Sequence, residues 1–105
     1  MRNNMNIQTF IGCESSFEEA STVLFGIPFD GTTSFRPGTR FAMQAIRQDS
    51  FGLESYSPYL DRDLEEEAIH DGGDLDLPFG NTERVLSDIA TYTKEVLDNG
   101  KKFLM

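Results

Sequence analysis

A near-continuous apolar run, Ser21-Thr-Val-Leu-Phe-Gly-Ile-Pro28, constrains the fold of this chain more than any other stretch. The run is rich in β-forming residues and does not alternate with polar ones, a pattern typical of a strand buried on both faces of a parallel sheet. Gly26 and Pro28 argue against a short buried helix, and Pro28 ends the strand. Because such a strand needs helices on both sides, the sequence predicts an α/β fold.

An amphipathic segment over residues 39–47 follows this strand and predicts the first helix. We expect Thr39 to cap it, with Pro37-Gly38 marking the boundary before it. The apolar face, which we expect to be buried, comprises Phe41, Ala42, Ala45 and Ile46, and the other face carries mostly Arg40, Gln44 and Arg47. Strand, loop and helix together make a βα unit.

The rest of the chain continues the alternation. Residues 48–66 lack periodicity and predict an irregular, aromatic-anchored loop, after which Ala68–Asp71 predicts a second strand. Asn81 is expected to cap a helix over Thr82–Asp98, with Asn99-Gly100 as its end and a third strand starting in Lys101–Met105. The apolar side of this helix is predicted to comprise Val85, Leu86, Ile89, Tyr92, Val96 and Leu97. Residues 21–105 thus predict β-α-β-α-β with a parallel sheet, preceded by an extended arm over residues 1–20.

Ligands bind beyond the carboxyl ends of the strands in sheets of this kind. That rule places residues 30–36 and 71–76 on one rim. The candidate rim residues are Asp30, Thr32, Thr33, Ser34 and Phe35. The hydroxyl groups in this loop either donate to a ligand or satisfy the loop's own backbone, and the sequence favours neither. We expect the structural anchors of the rim to be Arg36, Arg40, Asp71 and Asp74, with the arginines paired to carboxylates such as Asp30 or Asp74.

Charge and motifs exclude several functions. A formal charge of −9 argues against nucleic acid, and no apolar run approaches the roughly 20 residues of a membrane span. The single cysteine, Cys13, is expected to be an ordinary thiol of a cytoplasmic protein. The chain has neither the dinucleotide nor the phosphate-loop glycine pattern, and its only histidine, His70, leaves little room for a catalytic triad. A metal site at His70, Asp74 and Asp76 is a further hypothesis, although these residues lack calcium-loop spacing.

The loop itself carries a family resemblance. The stretch Gly26-Ile-Pro-Phe-Asp-Gly-Thr-Thr-Ser-Phe-Arg-Pro-Gly-Thr-Arg-Phe41, followed by Gln44-Ala-Ile-Arg47, resembles the N-terminal part of the agmatinases. These belong to the ureohydrolases, together with arginase and formiminoglutamase. Three later landmarks follow in the same order, namely Ser55-Tyr-Ser-Pro58, Asp71-Gly-Gly-Asp74 and Leu77-Pro-Phe-Gly-Asn-Thr-Glu83. The resemblance covers essentially the whole chain.

The resemblance implies a three-layer α/β/α fold and two Mn²⁺ ions bridged by hydroxide, which attacks the guanidinium carbon of agmatine to give urea and putrescine. It also implies a homo-oligomer. It implies metal ligands from a Gly-Gly-Glu-His segment, an Asp-x-His-x-Asp segment and a later Asp-x-Asp segment. The first two motifs do not occur in this sequence, and its Asp-x-Asp tripeptides, Asp61-Arg-Asp63 and Asp74-Leu-Asp76, do not follow them. We therefore assign no catalytic or metal residue, expect no Mn²⁺ on this chain alone, and expect residues 1–105 to be the N-terminal part of one ureohydrolase domain that is inactive alone.

Two other hypotheses remain from the sequence. The chain is an interaction remnant that pairs with full-length ureohydrolase subunits, or it belongs to an arginase or another ureohydrolase with a different guanidino substrate. The acidic balance would suit a cationic substrate in either enzyme.

Overall fold

The secondary structure alternates strands and helices. The structure, a computed structural model, describes residues 8–32 and 37–105. Within these ranges the elements are β1 (Thr22–Gly26), α1 (Ala42–Ser50), β2 (Tyr56–Ser57), β3 (Arg62–Asp63), β4 (Ile69–Asp74), α2 (Thr82–Asp98) and β5 (Lys102–Leu104). Two short 3₁₀ turns, Thr39–Phe41 and Leu64–Glu66, precede α1 and β4 respectively.

Strand β1 lies at the centre of a three-stranded sheet, between β4 and β5, and both neighbours run parallel to it. Val23 is paired with His70 on one side and Phe103 on the other. This arrangement confirms the predicted β-α-β-α-β order and the parallel sheet. The strand that the apolar run predicted is therefore covered by hydrogen-bonded neighbours on both edges.

The hydrophobic core lies between β1 and α2. Val23, Phe25 and Val96 are fully buried and pack together, and the ring of Tyr92 meets Phe25 edge-on with centroids 4.8 Å apart. Val85 is buried on the same helix. Two residues of the predicted apolar side, Leu86 and Leu97, are instead exposed, so that the buried stripe of α2 is narrower than predicted.

Helix α2 begins and ends where the sequence predicted. The side chain of Asn81 accepts a hydrogen bond from the Arg84 amide at 3.0 Å. At the other end Gly100 has φ 74°, and its amide donates to the Leu97 carbonyl while the Lys101 amide donates to that of Val96. This pair of bonds is the Schellman arrangement, which favours glycine because of the positive φ.

Helix α1 is turned the opposite way from the prediction. Arg47 and Ser50 are buried, whereas Phe41 is 57% exposed and Ile46 is 50% exposed. The predicted cap is also wrong, because Thr39 lies inside the 3₁₀ turn and no side chain of the preceding residue caps either segment. Carboxylates at the sheet attract Arg47 strongly enough to override the hydrophobic pattern of this short helix.

Residues 48–66 contain more regular structure than predicted. Strands β2 and β3 pair antiparallel, with Tyr56 opposite Asp63, and the Asp63 carboxylate accepts the Glu65 amide to start the following 3₁₀ turn. The ribbon is short and its turn is exposed, with Tyr59 almost fully accessible. The sequence did not predict this ribbon, because two residues per strand are too few to produce an alternating pattern.

The described part of the N-terminal arm runs along the outer edge of β4. Glu14 forms an antiparallel bridge with His70, and the Ser15 amide donates to the Ile69 carbonyl at 3.1 Å. The Ile11 amide donates to Ser50 Oγ at 3.0 Å, which ties the arm to the end of α1. The arm thus covers a sheet edge that would otherwise leave backbone groups unpaired.

Neither helix in the described part of the chain combines the length and the apolar content of a membrane span.

Position 26 tests how closely β1, β4 and α1 approach one another. A Cβ on Gly26 would overlap Asp74 Oδ1 and lie 2.8 Å from Met43 Cγ. We expect Gly26→Ala to lower the free energy of unfolding by about 1–3 kcal/mol, as overpacking does, in urea denaturation of the chain. The matched control is Gly52→Ala, where the nearest contact would be 3.5 Å, and its effect should stay within about 1 kcal/mol. Equal effects of the two changes would contradict the close approach.

Candidate functional site

The candidate site lies where β1 and β4 end. Leu24 is paired with Asp71, but Gly26 is paired with Asp74, so two steps on β1 match three on β4. This is a β-bulge, and it contains Gly73 with φ 78°. Side chains three positions apart point to opposite faces in a regular strand. The bulge removes that alternation and brings both carboxylates to the same side of the sheet.

Arg47 of α1 binds both of these carboxylates. Its Nε donates to Asp71 Oδ2 at 2.8 Å, and its Nη1 donates to Asp74 Oδ1 at 2.6 Å. The arginine side chain is 6% exposed and that of Asp71 is fully buried. Burial alone would lower the pKa of Arg47, but the hydrogen bonds to Asp71 and Asp74 outweigh it and raise that pKa above its ordinary value. The guanidinium stays charged.

The carboxylate of Asp71 joins three parts of the chain. Besides Arg47, its Oδ2 accepts the Phe10 amide of the arm at 2.8 Å. Its Oδ1 accepts the Gly73 amide at 2.9 Å, inside the bulge. A buried carboxylate is tolerated when charges and donors surround it in this way. Arm, helix and bulge therefore share one anion.

Asp30 plays a similar part in the loop after β1. Its Oδ2 accepts the Gly38 amide at 2.6 Å and makes a longer contact, 3.5 Å, with the Arg40 amide. The Arg40 Nε lies 3.6 Å from the same oxygen, and the Asp30 side chain is only 7% exposed. The guanidinium of Arg40 also stacks over the Phe41 ring at 5.0 Å. Asp30 therefore joins the start of the loop to the start of α1.

The remaining residues predicted for the rim fall into two groups. Thr32 is exposed and follows Asp30 directly in the loop. Thr33, Ser34, Phe35 and Arg36 lie outside the described residues. Asp30 and Asp71 are both occupied by arginine and amide donors, and Asp74 is ion-paired at 30% side-chain exposure. Among the described rim residues, Thr32 therefore offers an exposed hydroxyl group, whereas Asp30, Asp71 and Asp74 are ion-paired.

The residues of the hypothetical metal site are not arranged as ligands. His70 Nδ1 lies 2.9 Å from the Ser15 carbonyl, and its ring meets that of Phe17 edge-on. Asp74 is bound to Arg47 on the α1 side of the sheet. Across residues 8–32 and 37–105, no three His, Cys, Asp or Glu side chains come together as a metal cluster. These residues therefore do not fit the metal that the family implies.

A cavity of about 480 Å³ lies on the α2 side of β4. Its walls include Phe17 of the arm, His70, Tyr92 and the carboxylates of Glu18, Asp76 and Glu95. Asp74, the last residue of β4, also borders the cavity, but Asp30 and Thr32 do not. Among the described residues, the cavity is therefore lined by the 71–76 part of the predicted rim and not by the part that follows β1.

Cys13 is a buried residue of the arm, with 3% of its surface exposed. Burial, together with the negative charges of Asp71 and Glu14, raises the pKa of its thiol from 9.0 to about 11. A protonated, buried thiol reacts slowly, because the thiolate is the nucleophile. This environment agrees with the ordinary thiol that we inferred from the sequence.

Sequence reasoning missed Arg47 and Ser50. Both were outside the predicted apolar stripe, although Met43, Arg47 and Ser50 follow the spacing of one helical face. A second signal in the sequence was the spacing of Asp71 and Asp74, which are three positions apart with two glycines between them. A pair of acids around Gly-Gly allows a bulge, and a bulge allows one arginine to bind both.

Comparison with known proteins agrees with this fold and loop. A model of the arginase family matches residues 20–105. The agmatinase of Bacillus anthracis is 52% identical over 94 residues, which cover 90% of this chain and 32% of that protein. The agmatinase of Bacillus subtilis is 49% identical over the same shares of the two chains. The crystal structure of the agmatine ureohydrolase of Thermoplasma volcanium superposes with a TM-score of 0.87 at 32% identity, covering 93% of this chain and 33% of that one.

The chain belongs to the arginase family, and its resemblance to the agmatinases is confirmed. Its three-stranded parallel sheet is that of the ureohydrolases. The chain spans about a third of the length of the curated relatives it matches.

Arg47 is the natural target for a stability test. Arg47→Met leaves the buried Asp71 carboxylate without its cation, and we expect a loss of about 3–5 kcal/mol in the free energy of unfolding, measured in urea. Arg84→Met is the control, because its pair with Asp88 is exposed and its loss should cost less than about 1 kcal/mol. A loss at position 47 no larger than that at position 84 would contradict the role of the buried ion pair.

Cys13 predicts a pH dependence at alkaline pH. Its thiol ionises near pH 9.0 when the chain is unfolded and near pH 11 when it is folded, so its contribution is complete below pH 9 and is lost as the pH rises toward 11. In that window we expect Cys13→Ala to reduce the fall in the free energy of unfolding by up to about 1.4 kcal/mol per pH unit. The measurement is a set of urea titrations of both proteins from pH 8 to about pH 11. Parallel plots of the free energy of unfolding against pH for the two proteins would contradict the prediction.

Proposed function

We propose that these residues serve an agmatinase, which hydrolyses agmatine to urea and putrescine and depends on manganese. The observation that carries the proposal is the 52% identity to a curated agmatinase over 94 residues that include the loop after β1. The fold supports it, since a parallel sheet binds ligands beyond the carboxyl ends of its strands and this loop follows the end of β1.

The proposed role of the chain within that enzyme is to form one wall of the substrate pocket. Thr32 and the residues that follow it supply hydroxyl groups and an aromatic ring that are suited to an alkyl chain with polar ends. Asp30, Arg40, Asp71 and Asp74 hold the wall in place through the contacts described above. We assign the two Mn²⁺ ions to residues other than these 105, because the Gly-Gly-Glu-His and Asp-x-His-x-Asp ligand motifs of the family do not occur in this sequence.

The proposal also covers partners and location. A homo-oligomer in the cytoplasm is our proposal, and it follows from the family resemblance and from the single reduced cysteine. Among the described strands, β5 is paired only with β1, and its residues are exposed. An exposed strand edge favours the second candidate function, pairing with intact ureohydrolase subunits without catalysis.

A chimera tests the proposed function. In it, the 94 matched residues of the Bacillus anthracis agmatinase are replaced by the matching residues of this chain. We expect the purified chimera, supplied with Mn²⁺, to release urea from agmatine and not from arginine, because the transferred wall is of the agmatinase type. Urea release is measured by a colorimetric assay, and the chain of 105 residues alone, which we expect to release none, is the control.

Preference for arginine over agmatine in the chimera would contradict the proposed substrate. A folded chimera without urea release, together with capture of the intact agmatinase by the isolated chain, would favour the pairing function instead. Sedimentation of an active chimera as a monomer would contradict the oligomeric part, and cell fractionation of the chain tests the proposed location.

A further inference from the structure

We propose that Asp30 is a positioning residue, whose carboxylate closes the loop between β1 and α1 and does not bind the cation of the substrate. The obvious assignment is the opposite, since an acid on the rim of a pocket for a guanidino compound invites direct pairing. The closure of the loop by Asp30 is inferred from contacts within the chain. The identity of the substrate that Asp30 does not bind rests on the proposed function.

The first argument is occupancy. A single oxygen of Asp30, Oδ2, lies 2.6 Å from the Gly38 amide, 3.5 Å from the Arg40 amide and 3.6 Å from Arg40 Nε. The side chain has 7% of its surface accessible. A ligand would have to displace one of these donors or compete for what little surface remains.

The second argument is charge. Arg40 Nε is buried and has no hydrogen-bond partner within the described residues, so the nearby Asp30 carboxylate is the charge that compensates it there. An acid already neutralised by an arginine attracts a second cation weakly. The Arg40 side chain is 38% exposed, so solvent compensates part of its charge, and the Gly38 contact is the one on which the closure depends.

The third argument is the start of the helical segment. Gly38 has φ 146°, and no side chain of the segment itself accepts the free amides at the start of the 3₁₀ turn Thr39–Phe41. Asp30 supplies the missing acceptor from eight residues away, and a negative charge is favourable at this end of a helix. The contact joins Asp30, at the start of the loop, to Gly38, which directly precedes the 3₁₀ turn.

The consequence is a division of labour within the loop. Asp30 joins the start of the loop to Gly38, and a substrate is left with the exposed side chains of the loop. Thr32 is the exposed example within the described residues. A loop whose ends are fixed before binding loses less conformational entropy when the ligand arrives.

Amide hydrogen exchange at Gly38 in the full chain tests the closure without reference to activity. Asp30→Ala removes the acceptor, and we expect Gly38 to exchange at least about tenfold faster, as for a lost charge-assisted hydrogen bond. Asp30→Asn keeps an oxygen acceptor at the same place and should retain most of the protection. Thr32→Ala is the control, which should leave exchange at Gly38 unchanged.

The chimera described above tests whether Asp30 binds the cation of the substrate directly. We expect Asp30→Ala to raise the KM for agmatine roughly tenfold through misplacement of the loop, and Asp30→Asn to keep the KM within about threefold of the unchanged chimera. Direct pairing with the cation predicts instead that Asn, which is neutral, is as damaging as Ala.

Equal KM increases in the two variants would overturn the proposal, and so would unchanged Gly38 exchange in Asp30→Ala. An inactive parent chimera would count against the proposed function alone, since the exchange measurement still decides whether Asp30 closes the loop.

Discussion

The buried ion pair between Arg47 and Asp71 is the interaction on which the rest of this structure depends. The two side chains come from α1 and β4, and the same carboxylate receives amides from the arm and from the bulge. Ion pairs in an interior are costly to desolvate and become favourable only when their hydrogen bonds are satisfied. Here the hydrogen bonds that satisfy the pair hold the arm, α1 and the bulge of β4 in place together. The pair therefore specifies a geometry more than it adds stability.

The bulge at Gly73 is what makes such a pair possible. A regular β4 would send Asp71 toward α1 and Asp74 toward α2, where it would meet the apolar core. The extra residue turns Asp74 back, and the absence of a side chain at Gly26 gives its carboxylate room. The carboxyl edge of the sheet is therefore shaped by two glycines and two acids acting together, with α1 as the element that they hold.

Patterns that act within a few residues predicted much of the fold. Features that depend on contacts between residues distant in the sequence could not be predicted. The central strand and the limits of α2 were predictable because an apolar run, an asparagine cap and a C-terminal glycine act within a few residues. The orientation of α1 was not, because it depends on carboxylates 24 and 27 residues away from Arg47. For the candidate site, the sequence indicated the rim by topology and a pairing of Arg40 with a carboxylate such as Asp30, but it gave no sign of the Gly38 amide as the other partner of that carboxylate.

The shared anion at Asp71 also limits how this part of the sequence can vary over evolution. Losing the arginine leaves two acids facing each other, and losing Asp71 leaves a buried cation that only Asp74 compensates, so these single steps pass through a poorly folded protein. We expect Arg47, Asp71, Gly73 and Asp74 to change as a group or not at all.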